Sequence, residues 1–149
     1  MGYHGKAMDI LRDFEFCGLQ GHSRSARLDG RRTRLLSYVD TGAGRTVVSE
    51  AVARRVGMVE VPERTIEYAV PIKIRSRAAW AAMRMLEDGC EELLPVLVAV
   101  SDAVIGALDL PDGCEVLVGQ DYLQMARVRI DLAPRREGTR TACLSSRSR

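Results

Sequence analysis

Two short segments of the chain carry residue types that could do chemistry together. Residues 40–43 read Asp-Thr-Gly-Ala and follow the apolar residues 35–39. Residues 119–121 read Gly-Gln-Asp and follow the apolar residues 116–118. The glycine of the first segment lets backbone come close to its carboxylate, where a Cβ would collide. The first segment therefore predicts a site built on a carboxylate, with the second segment as its companion.

Carboxylates alone can hydrolyse a peptide bond, provided that two of them act together. One takes a proton from water while the other, protonated, donates to the carbonyl oxygen. Two carboxyls about 3 Å apart cannot both ionise, so they share one proton and titrate as a pair. The chain contains a single Asp-Thr-Gly. If both carboxyls come from this segment, a symmetric homodimer must supply Asp40 twice.

In this order, the two segments resemble the retropepsin-like (retroviral-type) aspartic protease family. The resemblance implies a mainly β, closed acid-protease barrel with one or two short helices, active as a homodimer. It implies an endopeptidase that needs no cofactor or metal and binds a peptide or protein substrate in extended form. It also assigns site residues: catalytic Asp40, Thr41 and Gly42, and substrate-binding Ala43, Gly44 and Arg45. The Thr41 hydroxyl would bond across to its counterpart in the partner.

The chain departs from the retroviral pattern at two positions. Many members carry an Asp soon after the first segment and an Arg directly after the later glycine, and these are expected to form an ion pair that supports the dimer. Gly44 and Gln120 stand there instead. Because both partners are replaced, no buried charge is left unpaired. Catalysis is therefore retained in this interpretation, while the dimer loses an ion pair. We interpret Asp121 as a backbone-bonding or helix-capping residue.

Two hairpins are predicted to frame the site. Residues 23–28 and 33–39 flank Asp-Gly, a strong hairpin turn. A second hairpin, residues 65–74 and 78–86, would be the family's flap, with Ser76 and Arg77 at its substrate-binding tip. Family flaps are usually glycine-rich, but no glycine lies between Met58 and Asp88. That absence supports the alternative function, a non-catalytic dimerisation or peptide-binding module.

The remaining pattern predicts short elements. Residues 47–57 read as a helix with Ser49 as N-cap and Gly57 as its stop. The apolar residues 94–100 predict a buried strand and residues 103–113 a loop. The remaining predicted elements are a strand at residues 114–118, a helix at 121–126 and a final strand at 128–132.

A length of 149 residues predicts one domain. We place an N-terminal extension at residues 1–22, the protease-like domain at 23–133 and a basic disordered tail at 134–149. The arginines of the tail leave a nucleic-acid arm as a minor alternative. Nucleic acid is disfavoured because only one Trp, four Tyr and two Phe are spread along the chain, which gives no stacking platform.

The composition and the distribution of apolar residues favour neither a zinc site nor a membrane-spanning segment. The four cysteines show no C-x-x-C pairing and only two histidines accompany them, so a zinc site has little support. The N-terminus has no apolar export segment. The most apolar stretch, residues 93–110, is interrupted by Pro and Asp, which disfavours a membrane span. We therefore expect a cytoplasmic protein with reduced thiols.

Overall fold

The computed structural model describes residues 10–21, 27–69, 72–86, 92–131 and 143–146. Within these residues, strands predominate and the helices are short, which confirms the predicted mainly β fold. The strands are β1 Ile10–Leu19, β2 Leu28–Val39, β3 Val47–Val48, β4 Val59–Tyr68, β5 Ile74–Met85, β6 Leu94–Val100, β7 Val116–Val118, β8 Val128–Asp131 and β9 Cys143–Ser146. The helices are α1 Glu50–Val56, α2 Asp102–Leu108 and α3 Gln120–Met125, with a 3-10 turn at Pro111–Gly113.

Seven strands form one sheet in the order β1-β2-β7-β3-β6-β5-β4. The β2–β7 and β3–β6 pairs are parallel, and the other pairs in this sheet are antiparallel. Strand β1 pairs with β2 along one side and with β5 along the other. The pairings therefore return to their starting strand, with β4 outside this circuit. Strands β8 and β9 form a separate antiparallel pair.

Three apolar clusters lie among the described residues, the smallest formed by Cys17, Leu19 and Ala82. The main core packs α1 and α3 against the sheet, and its largest side chains include Phe14, Met83 and Tyr122, with Phe14 edge-on to Tyr122 at 5.4 Å between ring centroids. The second, which we call the loop-side cluster, lies beneath α2. Its members are Val47, Ile66, Tyr68, Ala78, Leu97, Ala99, Val104 and Leu117.

The helix predicted over residues 47–57 is confirmed from Glu50 to Val56, whereas Val47 and Val48 form strand β3. The Ser49 hydroxyl accepts the Val52 N–H at 3.1 Å, which caps the first turn of α1. Gly57 ends the helix with φ of 83°, a conformation that suits glycine. The predicted buried strand at residues 94–100 and the helix near residue 121 are confirmed as β6 and α3.

The first hairpin was predicted in the wrong place. β2 runs without interruption through Asp29 and Gly30, and the turn lies further back, where the Gln20 N–H donates to the Arg27 carbonyl at 2.7 Å. The β1–β2 register shifts opposite this Asp-Gly pair. Gly30 has φ of 93°, and the Asp29 carboxylate accepts the Arg31 N–H at 2.9 Å. The Asp-Gly pair, which is typical of turns, therefore forms an irregularity within the strand here.

Two further predictions from the chain ends are corrected. Among the described residues, the first strand of the sheet is β1, Ile10–Leu19, which lies inside the predicted extension 1–22. Cys143–Ser146, inside the predicted disordered tail 134–149, is strand β9 and pairs with β8. The other tail residues lie outside the described ones.

The predicted loop at residues 103–113 is also wrong, because α2 and the 3-10 turn occupy most of it. Ser101 caps α2, with its hydroxyl accepting the Val104 N–H at 3.1 Å. Val104 is the helix's buried anchor. In the part of the chain that the structure describes, no helix has the length and apolarity needed to cross a membrane.

Candidate active site

Asp40 lies at the end of β2, where the parallel pairing with β7 continues as a hydrogen bond from the Asp40 N–H to the Val118 carbonyl, 3.0 Å. The chain then turns sharply, and the Ala43 N–H donates to the Asp40 carbonyl at 3.1 Å. The carboxylate is half-buried, and its Oδ1 accepts the Gly42 N–H at 2.9 Å. Oδ2 has no hydrogen-bond partner among the described residues. One oxygen is thus anchored and the other is left for further chemistry.

Neighbouring atoms lie so close to Gly42 and Gly119 that a side chain at either position would be crowded. A Cβ at Gly42 would lie 3.3 Å from Asp40 Oδ1, which is tight, as predicted. A Cβ at Gly119 would lie 2.8 Å from the carbonyl oxygens of Ala43 and Arg45. The second segment therefore packs directly on the loop formed by residues 40–46, which we call the Asp40 loop. Its glycine is a requirement of that contact.

Asp121 braces the far end of the Asp40 loop. Its Oδ2 accepts the Thr46 N–H at 2.9 Å and its Oδ1 accepts the Thr46 hydroxyl at 2.7 Å. The Thr46 hydroxyl oxygen in turn accepts the Gly119 N–H at 3.1 Å. Thr46 is fully buried. Asp121 therefore acts as the predicted backbone-bonding residue, and the buried Thr46 joins the two segments.

Gln120 braces the near end of the same loop. Its side-chain amide donates to the Thr41 carbonyl at 3.0 Å, and its backbone N–H donates to the Ala43 carbonyl at 2.8 Å. The Asp121 N–H adds a bond to the Gly44 carbonyl at 3.2 Å. A neutral amide thus stands where the retroviral pattern has an arginine, and it supports the loop within one chain.

Tyr68 contacts the loop from the opposite side, and the sequence analysis missed it. Its buried hydroxyl donates to the Arg45 carbonyl. Burial raises the pKa of Tyr68, and the nearby charges of Asp121 and Asp40 raise it further while Arg45 opposes them. The phenol therefore stays neutral and able to donate. A lone tyrosine in a strand carries no sequence signal for a contact made 23 residues away along the chain.

The β4–β5 hairpin turns at a different place from the one predicted. Tyr68 pairs with Ile74, so residues 69–73 connect the two strands, and residues 70 and 71 of this turn lie outside the described ones. Ser76 and Arg77 lie within β5, opposite Ile66 and Thr65. The prediction that Ser76 and Arg77 form a substrate-binding tip is therefore wrong.

The contacts of Ser76 and Arg77 explain their position. Ser76 is buried. Arg77 bridges Glu50 of α1 and Glu60 of β4, and the hydrogen bond to Glu50 raises the pKa of its guanidinium. Strand pairing holds this part of β5 within the sheet, and Arg77 adds surface ion pairs to the two neighbouring elements.

The remaining predicted site residues share one surface. Thr41, Gly42, Gly44 and Arg45 are exposed, and Ala43 is half-buried against the loop-side cluster. The structure therefore brings together all the predicted residues of the first segment around Asp40. Among the described residues, no group of three or more His, Cys, Asp or Glu side chains is arranged to hold a metal ion.

No protein-family model matches the chain, and no curated protein matches it. Among solved structures, the chain is similar to the retroviral protease-like domain of Ddi1 from Leishmania major, with 20% identity, 67% of this chain and 74% of that chain covered, and a TM-score of 0.42. It is also similar to a retropepsin-like aspartic protease from Rickettsia conorii, with 17% identity, 83% and 87% covered, and a TM-score of 0.38. Both are domains of the kind that the sequence resembles. Because the TM-scores are low, this similarity carries no inference about activity.

Proposed function

We propose that the protein is a homodimeric aspartic endopeptidase whose active site contains Asp40 from each of two chains. The observation that carries the proposal is the state of the Asp40 carboxylate. One oxygen is anchored by the Gly42 N–H at 2.9 Å, and the other has no partner among the described residues. The six-strand circuit is, in this proposal, the closed barrel that presents the loop.

Catalysis would use the two carboxyls as a pair. A water held between them loses a proton to the ionised carboxylate as it attacks the scissile carbonyl, and the protonated carboxyl donates to the carbonyl oxygen. The two Asp40 loops must meet across a two-fold axis to bring the carboxyls about 3 Å apart. The exposed Thr41 hydroxyl would then bond to the partner's loop, and Ala43, Gly44 and Arg45 would line the peptide cleft.

The test is cleavage of a complex peptide library, read by mass spectrometry at several pH values. Wild type should produce internal cleavages that are reduced at least about a hundredfold in Asp40→Asn, since the amide cannot act as acid or base. The matched control is Asp109→Asn, the same chemical change at an exposed residue with φ of 54°, which asparagine also adopts. Equal activity in Asp40→Asn and Asp109→Asn would refute the catalytic assignment.

Mixing tests whether both carboxyls are needed. Random pairing of equal amounts of wild-type and Asp40→Asn chains leaves about one dimer in four with two wild-type chains, so activity per wild-type chain should fall to about half. Under conditions in which mixed dimers form, activity per wild-type chain that stays unchanged or rises, to about 1.5-fold when mixed dimers are fully active, would show that one Asp40 suffices.

One observation favours a second candidate, a non-catalytic dimer that binds peptides. The turn of the β4–β5 hairpin, residues 69–73, contains no glycine, whereas a glycine-rich tip lets backbone amides reach a substrate carbonyl. A dimer that binds library peptides and cuts none of them would establish this alternative.

A further inference from the structure

The Asp40 loop is held from two opposite sides. On one side, Gln120 and Asp121 bond to its backbone at both ends, at distances of 2.8 to 3.2 Å. On the other side, the Tyr68 hydroxyl donates to the Arg45 carbonyl. Arg45 directly precedes Thr46, whose N–H is bound by Asp121. A displacement of Tyr68 would therefore act on the same peptide group that the second segment restrains.

Tyr68 belongs to the hairpin as well as to the loop contact. It is the last residue of β4 and pairs with Ile74, the first residue of β5, so it closes the base of the turn. Its ring lies in the loop-side cluster with Val47 and Leu117, which follow and flank the Asp40 loop. The half-buried Ile72 of the turn packs against this cluster. The Tyr68 ring therefore packs among residues next to the Asp40 loop, and its hydroxyl adds a hydrogen bond to the Arg45 carbonyl.

We propose that Tyr68 is a positioning residue that ties the end of β4 to the backbone of the Asp40 loop. Its hydroxyl fixes the Arg45 carbonyl and with it the path of the chain from Asp40 to Thr46. Without this hydrogen bond the restraint is lost, and the carboxylate loses part of its fixed geometry. The loop restraint stands on the contacts of this chain, and its effect on cleavage rests on the proposed function.

The test is Tyr68→Phe, which removes the hydroxyl and keeps the ring in the cluster. Amide hydrogen exchange by NMR should accelerate about five- to tenfold at Gly42, Ala43 and Thr46, the range expected for the loss of one hydrogen bond. With a cleavable peptide, kcat should fall by a similar factor while KM changes little, because the loop's reacting geometry is loosened more than peptide binding.

The matched control is Tyr122→Phe. Tyr122 is buried, and its hydroxyl accepts the Met85 N–H at 3.0 Å, in the main core. This variant should lower overall stability without a selective acceleration at Gly42, Ala43 and Thr46. The proposal is overturned if Tyr68→Phe leaves loop exchange unchanged, or if Tyr122→Phe accelerates it equally.

The two proposals fail separately. If wild type cleaves no peptide, the protease assignment fails, and loop exchange in Tyr68→Phe still tests the loop restraint. If cleavage is normal in Tyr68→Phe while loop exchange is faster, the loop restraint is real but does not serve catalysis, which overturns the positioning role.

Discussion

The Asp40 loop and the β4–β5 hairpin both contact the loop-side cluster, yet their polar contacts differ. The loop is held by hydrogen bonds centred on the fully buried Thr46. Beyond its strand pairing and its buried side chains, the hairpin is linked to its neighbours by ion pairs of half-exposed or exposed side chains, such as Arg77 with Glu50 and Glu60. Removing a buried acceptor leaves its donors without partners, whereas water replaces an exposed ion pair at little cost. Polar contacts should therefore contribute more to the stability of the loop than to that of the hairpin.

The largest effect expected from this contrast is that of Gly119→Ala. The new Cβ would lie 2.8 Å from backbone atoms of Ala43 and Arg45, and backbone cannot swing aside as a flexible side chain can. We expect a loss of about 3 kcal/mol in the free energy of unfolding, at the upper end for overpacking. Urea denaturation measures it, and peptide cleavage should be lost with it.

The control is Gly106→Ala in α2, where a Cβ meets open space. Alanine has less conformational freedom to lose on folding, so this variant should be stabilised by about 0.5–1 kcal/mol. If the two alanine variants are equally stable, the contact between the second segment and the loop is not rigid.

Asp121→Ala should have the next largest effect. It removes the acceptor of both the N–H and the hydroxyl of Thr46, which is fully buried. The expected loss is about 2–3 kcal/mol by urea denaturation, since buried donors are left without partners. Asp121→Asn keeps one oxygen and should lose less. A loss below about 0.5 kcal/mol in the free energy of unfolding, typical of ordinary surface substitutions, would contradict the stabilising role of the Asp121–Thr46 hydrogen bonds.

A pH titration probes the contact between loop and hairpin. The pKa of Tyr68 is raised in the folded protein, so above about pH 10 the unfolded chain loses this proton first. The free energy of unfolding should therefore fall with rising pH by up to about 1.4 kcal/mol per unit, while the contribution is fully present below that pH. Tyr68→Phe should lack this part of the slope. Parallel curves for the two proteins between about pH 9 and 11 would contradict it.

The smallest effect should come from the hairpin itself. Arg77 is 42% exposed and its partners Glu50 and Glu60 are 34% and 47% exposed. Arg77→Gln should therefore cost less than about 1 kcal/mol, and less again at high salt. Arg75→Gln, which loses a more exposed pair with Glu67, should be close to neutral. A loss from Arg77→Gln as large as that from Asp121→Ala would reverse the comparison.

The same contrast explains what the sequence could predict. The Asp40 loop is built from residues adjacent in the chain, and its companion segment is an apolar run followed by Gly-Gln-Asp, so both segments can be recognised from the sequence. The hairpin turn depends on which residues of β4 and β5 pair, and the register there shifts between Glu60 and Thr65. No local pattern specifies such a shift. The contact between Tyr68 and Arg45 depends on that register and was equally hidden.

The first hairpin shows a second limit. Asp-Gly suits a tight turn and a strand irregularity equally, because both use a glycine with positive φ. The strand β1 decided between them, since Phe14 and Phe16 pair with β2 on one side and with β5 on the other. The prediction of an extension over residues 1–22 leaves this strand out. Asp29-Gly30 is then the nearest turn signal to the rest of β2.

The double pairing of β1 also has a consequence for how the chain folds as it is synthesised. The β1–β2 hairpin joins neighbouring segments and can form early, but Phe14 finds its partner Met85 only after β5 has emerged. Contacts between residues so far apart in sequence are slow to form, because a long loop must close first. Until then, the apolar side of the early hairpin is uncovered and open to association with other chains. A nascent chain halted before β5 is therefore expected to expose apolar side chains of β1 that the complete sheet buries.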